Sequence, residues 1–159
     1  MRLAYVEGIE DILAAERAAR QALLTEEIQI LNQQVEVQYP TLDMNDIVQA
    51  FDSDPTTLIR TLEANPLRLI ITFSEPVLIN QVTLIIGGTP TRVTVSAYAN
   101  EENLATLSEQ VDSDIVTRNL QLIFSDSLMV DKLEVEIMNT HDGEIAHVHL
   151  WEVMIEQPH

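Results

Sequence analysis

The chain is 159 residues long and carries 26 acidic against 8 basic residues, a formal net charge of -18 at neutral pH. That charge argues against nucleic acid and against direct binding to an anionic membrane, and favours cations or basic proteins as partners. Hydrophobic residues make up 46% and suffice for one core, whereas aromatics are only 4% and cysteine is absent, which excludes disulfides, thiol nucleophiles and thiolate metal sites.

Residues 1–34, rich in Ala, Leu, Glu, Gln and Arg and free of proline, are expected to form a helical segment, with a second start at Thr25 followed by Glu26 and Glu27. Leu24, Ile28, Leu31 and Val35 recur at helical spacing, so the stripe should dock on the rest of the chain or drive helix-mediated self-association. Val35 to Pro40 alternates and stops at a proline, where an extended segment replaces the helix. No apolar run reaches the roughly 18–20 residues of a membrane span. Glu7, Glu10 and Asp11 interrupt the N-terminus where a signal peptide needs an apolar stretch.

The stretch Ala50 to Arg60 concentrates chemistry. Asp52, Asp54 and Thr57 can offer oxygens to a hard cation, Pro55 fixes a bend, and paired aspartates repel unless a positive charge lies between them. Arg60 is the alternative source of that charge. Further on, Leu67, Leu69, Ile71 and Phe73 alternate up to Ser74-Glu75-Pro76, which should end the strand. Val82, Leu84 and Ile86 repeat the pattern, and Gly87-Gly88-Thr89-Pro90 should turn the chain into Val93, Val95 and Ala97 as a hairpin.

Asn100 to Thr117 is polar and reads as a loop with one edge strand. Leu120, Leu122 and Phe124 alternate again, as do Leu133, Val135 and Ile137, with Glu134 and Glu136 on the solvated side; Ala146 to Ile155 closes the series. About eight strands at short intervals with no helix between them argue for an antiparallel β-sandwich over residues 35–159.

The pattern Ala50-Phe-Asp52-Ser53-Asp54-Pro-Thr-Thr57-Leu-Ile59 resembles the signature loop of the galactose-binding-like jelly rolls, a family that includes discoidin, coagulation factor type C and carbohydrate-binding domains. Ser53 stands where the family has glycine, and Ile59 where it has tryptophan. The ending Trp151-Glu152-Val153-Met154-Ile155 is similar to the family's last strand, in which a glutamate closes a calcium site. The resemblance covers about residues 41 to 156. It implies a structural Ca²⁺ held by Asp52, Asp54, Thr57 and Glu152 with nearby carbonyls, and a non-catalytic module that binds carbohydrate. It also implies an extracellular or cell-surface setting within a larger surface or membrane-associated protein.

The alternative is a protein-binding or architectural scaffold domain with no sugar ligand. Sugar binding needs exposed aromatics for stacking and a polar cluster on loops distal to the calcium, and the aromatic candidates are Tyr39, Tyr98 and Trp151, the last expected in the core. His147 and His149 lie two apart and should share a face, with His141 as a third candidate ligand for a transition metal. Strand histidines more often fill hydrogen-bonded structural positions. No Gly-rich phosphate loop, nucleophile elbow or His-Glu-x-x-His motif is present, so no enzymatic activity is expected.

Overall fold

A computed structural model of the chain describes residues 22–62, 64–87, 90–112, 117–140 and 147–158. Among the described residues nine antiparallel strands run in the order β1 (Leu24–Ile30), β2 (Gln33–Tyr39), β3 (Leu42–Met44), β4 (Ile59–Thr61), β5 (Leu67–Ile86), β6 (Thr91–Ala99), β7 (Glu102–Val111), β8 (Arg118–Asn139) and β9 (His149–Glu156), with one 3₁₀ turn at Ile47–Ala50.

The long strands β5 and β8 organise the molecule. A strand has two edges, yet β5 has three neighbours: β2 at Ile70–Phe73, β9 at Gln81–Ile86, and β8 along its length. The first half of β5 therefore belongs to a layer ordered β1-β2-β5-β8-β6-β7, and the second half to a layer ordered β8-β5-β9-β4-β3. Register breaks between Thr72 and Val77 and between Ile79 and Gln81 mark where the β5/β8 ribbon folds over from one layer to the other. The inward residues of both layers, such as Leu69, Ile71, Leu84, Val95, Val135 and Leu150, merge into one buried cluster. This is an antiparallel jelly-roll sandwich. Ser74-Glu75-Pro76 bends β5 there instead of ending it.

Two further expectations fail, each for a local reason. Residues 24–34 are not helical but form β1, a two-residue turn and the start of β2, paired from Leu24 with Tyr39 to Ile30 with Gln33. Leu31 and Asn32 both have positive φ, 50° and 64°, as a tight hairpin turn with the right twist requires. The helical stripe would bury Ile28 and Val35 but strand alternation buries Ile28, Ile30, Val35 and Val37 together, all β-branched, while Leu24 stays 47% exposed. Each such burial is worth about 1.5–3 kcal/mol. The sheet thus takes in residues on both sides of position 34, and the stripe offered for self-association is spent within the hairpin. The remainder of the expected helix, residues 1–21, lies outside the described residues.

The second failure is the hairpin between β5 and β6. Both edges of the second half of β5 are already taken by β8 and β9, so the chain crosses after Ile86 to the other layer, where β6 pairs with β8 and β7. The hairpins are β1–β2 and β6–β7, the latter turning at Asn100 and Glu101. The edge strand expected within Asn100 to Thr117 is β7.

Candidate functional site

The Ala50 to Arg60 loop begins where the 3₁₀ turn buries Ile47 and Ala50, with the Asp46 N–H donating to the Gln49 side chain at 2.9 Å. From there the backbone must reverse over a few residues to reach β4. Ser53 takes φ 64°, the left-handed conformation that glycine adopts at least cost. Asp52 Oδ1 accepts the Asp54 N–H at 2.9 Å, and Asp54 Oδ1 accepts from the Thr56 N–H at 3.0 Å and the Thr56 hydroxyl at 2.6 Å. The Thr57 hydroxyl donates to Asp54 Oδ2 at 3.4 Å. These bonds from Thr56 and Thr57 hold the Asp54 carboxyl below the usual carboxylate range.

Glu152 comes to the same loop from the far end of the sequence, on β9. Its side chain faces inward, the residue is 2% exposed, and Oε2 accepts the Ser53 N–H at 3.4 Å while Oε1 is buried with no partner. Burial, joined by the charges of Asp52 and Asp54, pushes its pKa up to about 8. A carboxylate that is buried, half-satisfied and flanked by two acids is a site that lacks positive charge. Asp52, Asp54, Thr57 and Glu152 are thus gathered at one corner. Their side chains alone do not form a cage: among the described residues no group of three His, Asp or Glu is arranged to hold a metal ion.

Arg60 does not supply the missing charge. It faces outward on β4 and pairs with Asp43, Nε to Oδ1 at 2.8 Å and Nη2 to Oδ2 at 2.9 Å, holding the Asp43 carboxyl low and the guanidinium protonated. Across the β4–β9 pair it stands opposite His149.

His147, His149 and Trp151 alternate outward while Val148, Leu150 and Glu152 point in. Trp151 is therefore not a core residue. A register irregularity of β9 against β5 sets it on the outer face, partly exposed, with its ring 6.4 Å from that of His149 at 28°. His149 Nδ1 is buried without a partner, and burial, with the charges of Arg60 and His147, lowers its pKa. His147 is committed elsewhere, its Nδ1 2.7 Å from the Thr61 carbonyl oxygen. His141 lies outside the described residues.

The end of the sandwich away from the fold-over is braced by a polar network. Asn65, which precedes a cis peptide bond to Pro66, exchanges two bonds with the Asn139 backbone, both at 2.9 Å, and Asn139 Nδ2 donates to the His147 carbonyl at 3.0 Å. The Val148 N–H donates to the Thr61 hydroxyl at 3.0 Å, and Gln110 Nε2 to that of Thr140 at 3.1 Å. All but the Asn139–His147 bond join segments far apart in sequence, so they tie the strands together at this end.

No family model matches the chain, and no curated protein matches it by sequence. Solved structures do. A Streptococcus pneumoniae fucose binding module is similar with a TM-score of 0.58 and 15% identity, covering 77% of this chain and 90% of that one. The family 32 carbohydrate-binding module of Clostridium perfringens NanJ, in complex with galactose, gives 0.55 and 12%, covering 76% and 92%. A Ruminococcus gnavus GH29 fucosidase in complex with fucose gives 0.59 and 8%, covering 77% of this chain but 25% of that one. The strand order and these likenesses agree: the chain has the jelly-roll fold seen in these carbohydrate-binding modules.

Proposed function

We propose that this chain is a non-catalytic carbohydrate-binding module of a larger extracellular or cell-surface protein, with a structural Ca²⁺ tying its first loop to its last strand. The observation that carries the reading is the extent of the likeness. It takes in 90% and 92% of two proteins described as sugar-binding modules, and only a quarter of a fucosidase, 25%. The same architecture thus serves as a binding unit alone and as a minor part of an enzyme. The unpartnered Glu152 Oε1 and the adjoining Asp52 and Asp54 suit a hard cation that takes oxygen ligands, with Thr57 and loop carbonyls completing the 6–8 oxygens calcium prefers. Its role would be to neutralise that corner and clamp Glu152 to the loop.

A glycan array followed by calorimetry on the intact chain tests the reading, and saturable binding of sugars is the expected result. Silence across the array would sink it. One observation favours the scaffold alternative: Leu78 and Met129 face each other across β5 and β8 and are 38% and 53% exposed, an apolar pair on the outer surface. Silence on the array together with a stable protein partner in pull-down would favour that alternative.

A further inference from the structure

At the fold-over of the β5/β8 ribbon lies a cavity of about 430 Å³, within the range of about 300–1,000 Å³ typical of small-molecule sites. Its apolar wall is Phe73, 5% exposed and so fixed by the core, with Pro76 beside it. Its polar rim holds Ser74, Asn100, Glu101, Asp131 and Lys132, the last being the only lysine of the chain.

The rim is built to stay in place. Asp131 Oδ2 accepts the Asn100 N–H at 2.8 Å, which ties the β6–β7 turn to the ribbon and leaves Oδ1 free to face a ligand. Lys132 Nζ rests 4.5 Å from the centre of the Tyr98 ring and 3.7 Å from Glu134 Oε1, so the ammonium is steered but keeps donors to spare. On the ribbon's other side the Ser74 hydroxyl and the Glu75 N–H both donate to Gln33 Oε1, at 2.7 and 2.9 Å, which ties the β1–β2 hairpin to the same bend.

The turn itself is costly. Asn100 and Glu101 have φ 50° and 68°, and the second place of such a turn suits glycine, whereas a glutamate there is strained. That turn places Glu101 at the rim of the cavity.

We propose that this cavity is the sugar subsite of the chain and that it takes a neutral pyranose. Resting on the reading of a carbohydrate-binding module, the assignment follows from the rim's chemistry. Glu101 and Asp131 accept hydroxyl protons, Lys132 and Asn100 donate to ring and hydroxyl oxygens, and Pro76, over the buried Phe73, meets the sugar's C–H surface. Two rim carboxylates with Glu134 behind them outnumber the one ammonium, so an anionic sugar is repelled. The cavity lies at the fold-over, away from the Asn65–Asn139 end, where the loop reading would seek a ligand.

The test is calorimetry of the intact chain with galactose, fucose, mannose and N-acetylglucosamine, and with galacturonate as the anionic control. Glu101→Gly removes the carboxylate while relieving the turn, so its melting temperature should hold or rise as sugar affinity falls at least tenfold, the effect of losing a hydrogen bond to a charged group. Lys132→Gln should also weaken binding at least tenfold. Sugar binding untouched by both variants would overturn the cavity assignment and leave the module reading standing. Galacturonate bound more tightly than galactose would overturn the neutral class, and no binding of any sugar by the wild type would overturn both.

Discussion

Glu152 and Asp54 are acids of one corner, and the fold treats them in opposite ways. Asp54 sits exposed on the loop, accepts three bonds from Thr56 and Thr57, and is held below the usual carboxylate range. Glu152 is buried, accepts one long bond from Ser53, and is pushed up to about 8. Both are carboxylates of the same corner, so what separates the two is burial first, and then how many backbone and hydroxyl donors reach each carboxyl. Asp54 closes its own turn. Glu152 keeps one buried oxygen, Oε1, without a donor.

The largest expected effect follows from that contrast. The folded protein binds a proton at Glu152 that the unfolded chain releases at its ordinary value of 4.5, so between about 4.5 and about 8 the native state holds more protons than the unfolded state. Stability of the metal-free protein therefore falls as pH rises through that window and is flat above it, with a slope of up to about 1.4 kcal/mol per pH unit. Glu152→Gln removes the slope and should make the metal-free protein more stable than wild type at pH 8 by a few kcal/mol. Chemical denaturation of both proteins in chelator from pH 5 to pH 8 reads the difference, and parallel curves would show that the Glu152 carboxyl is already satisfied. Asp54 gives the opposite sign: its lowered pKa makes its share of stability fade as pH drops below the normal carboxylate range.

Next in size is calcium. At about 100 times its dissociation constant a ligand confined to the native state adds about 2.7 kcal/mol, or about 2–4 °C per kcal/mol for a chain of this size. Because the ion must displace the Glu152 proton, the shift at a fixed calcium concentration should be larger at pH 8 than at pH 6 and should vanish in Glu152→Gln. A shift of the same size in that variant would move the ion elsewhere.

The parts of the molecule that were legible in the sequence share a physical property. Leu67 to Phe73, Val93 to Ala97 and Leu133 to Ile137 alternate because each of these stretches is buried on one side, the Asp52 to Thr57 loop was legible as a tight acidic turn, and Glu152 came into view through the family resemblance. The β1–β2 hairpin hid behind composition. Glutamates, glutamines and leucines have good helix propensity, but the tertiary gain of burying Ile28, Ile30, Val35 and Val37 overrides it. The signal was there in the alternation of Ile28-x-Ile30 and Val35-x-Val37 on either side of Leu31-Asn32. Trp151 was misjudged because a register irregularity moves a side chain to the other face without altering composition. The cavity at Lys132 was invisible because its residues come from β5, the β6–β7 turn and β8, which meet only when the ribbon folds over.

The smallest prediction isolates the backbone that lies between the two acids. Ser53 holds φ 64° and its N–H is the donor that Glu152 receives. Ser53→Gly keeps that N–H and relieves the left-handed strain, worth about 1–2 kcal/mol in an L-residue, against the added entropy of glycine in the unfolded chain, so a net gain of about 1 kcal/mol is expected. Since the donor is retained, the pH slope assigned to Glu152 should be unchanged; the melting curve moves up as a whole, by a few degrees. A gain in stability with the slope preserved separates turn strain from carboxylate burial. A slope that flattens in Ser53→Gly would mean that relaxing the loop brings Glu152 a second partner, and the contrast between the two acids would then belong to the turn and not to the burial of β9.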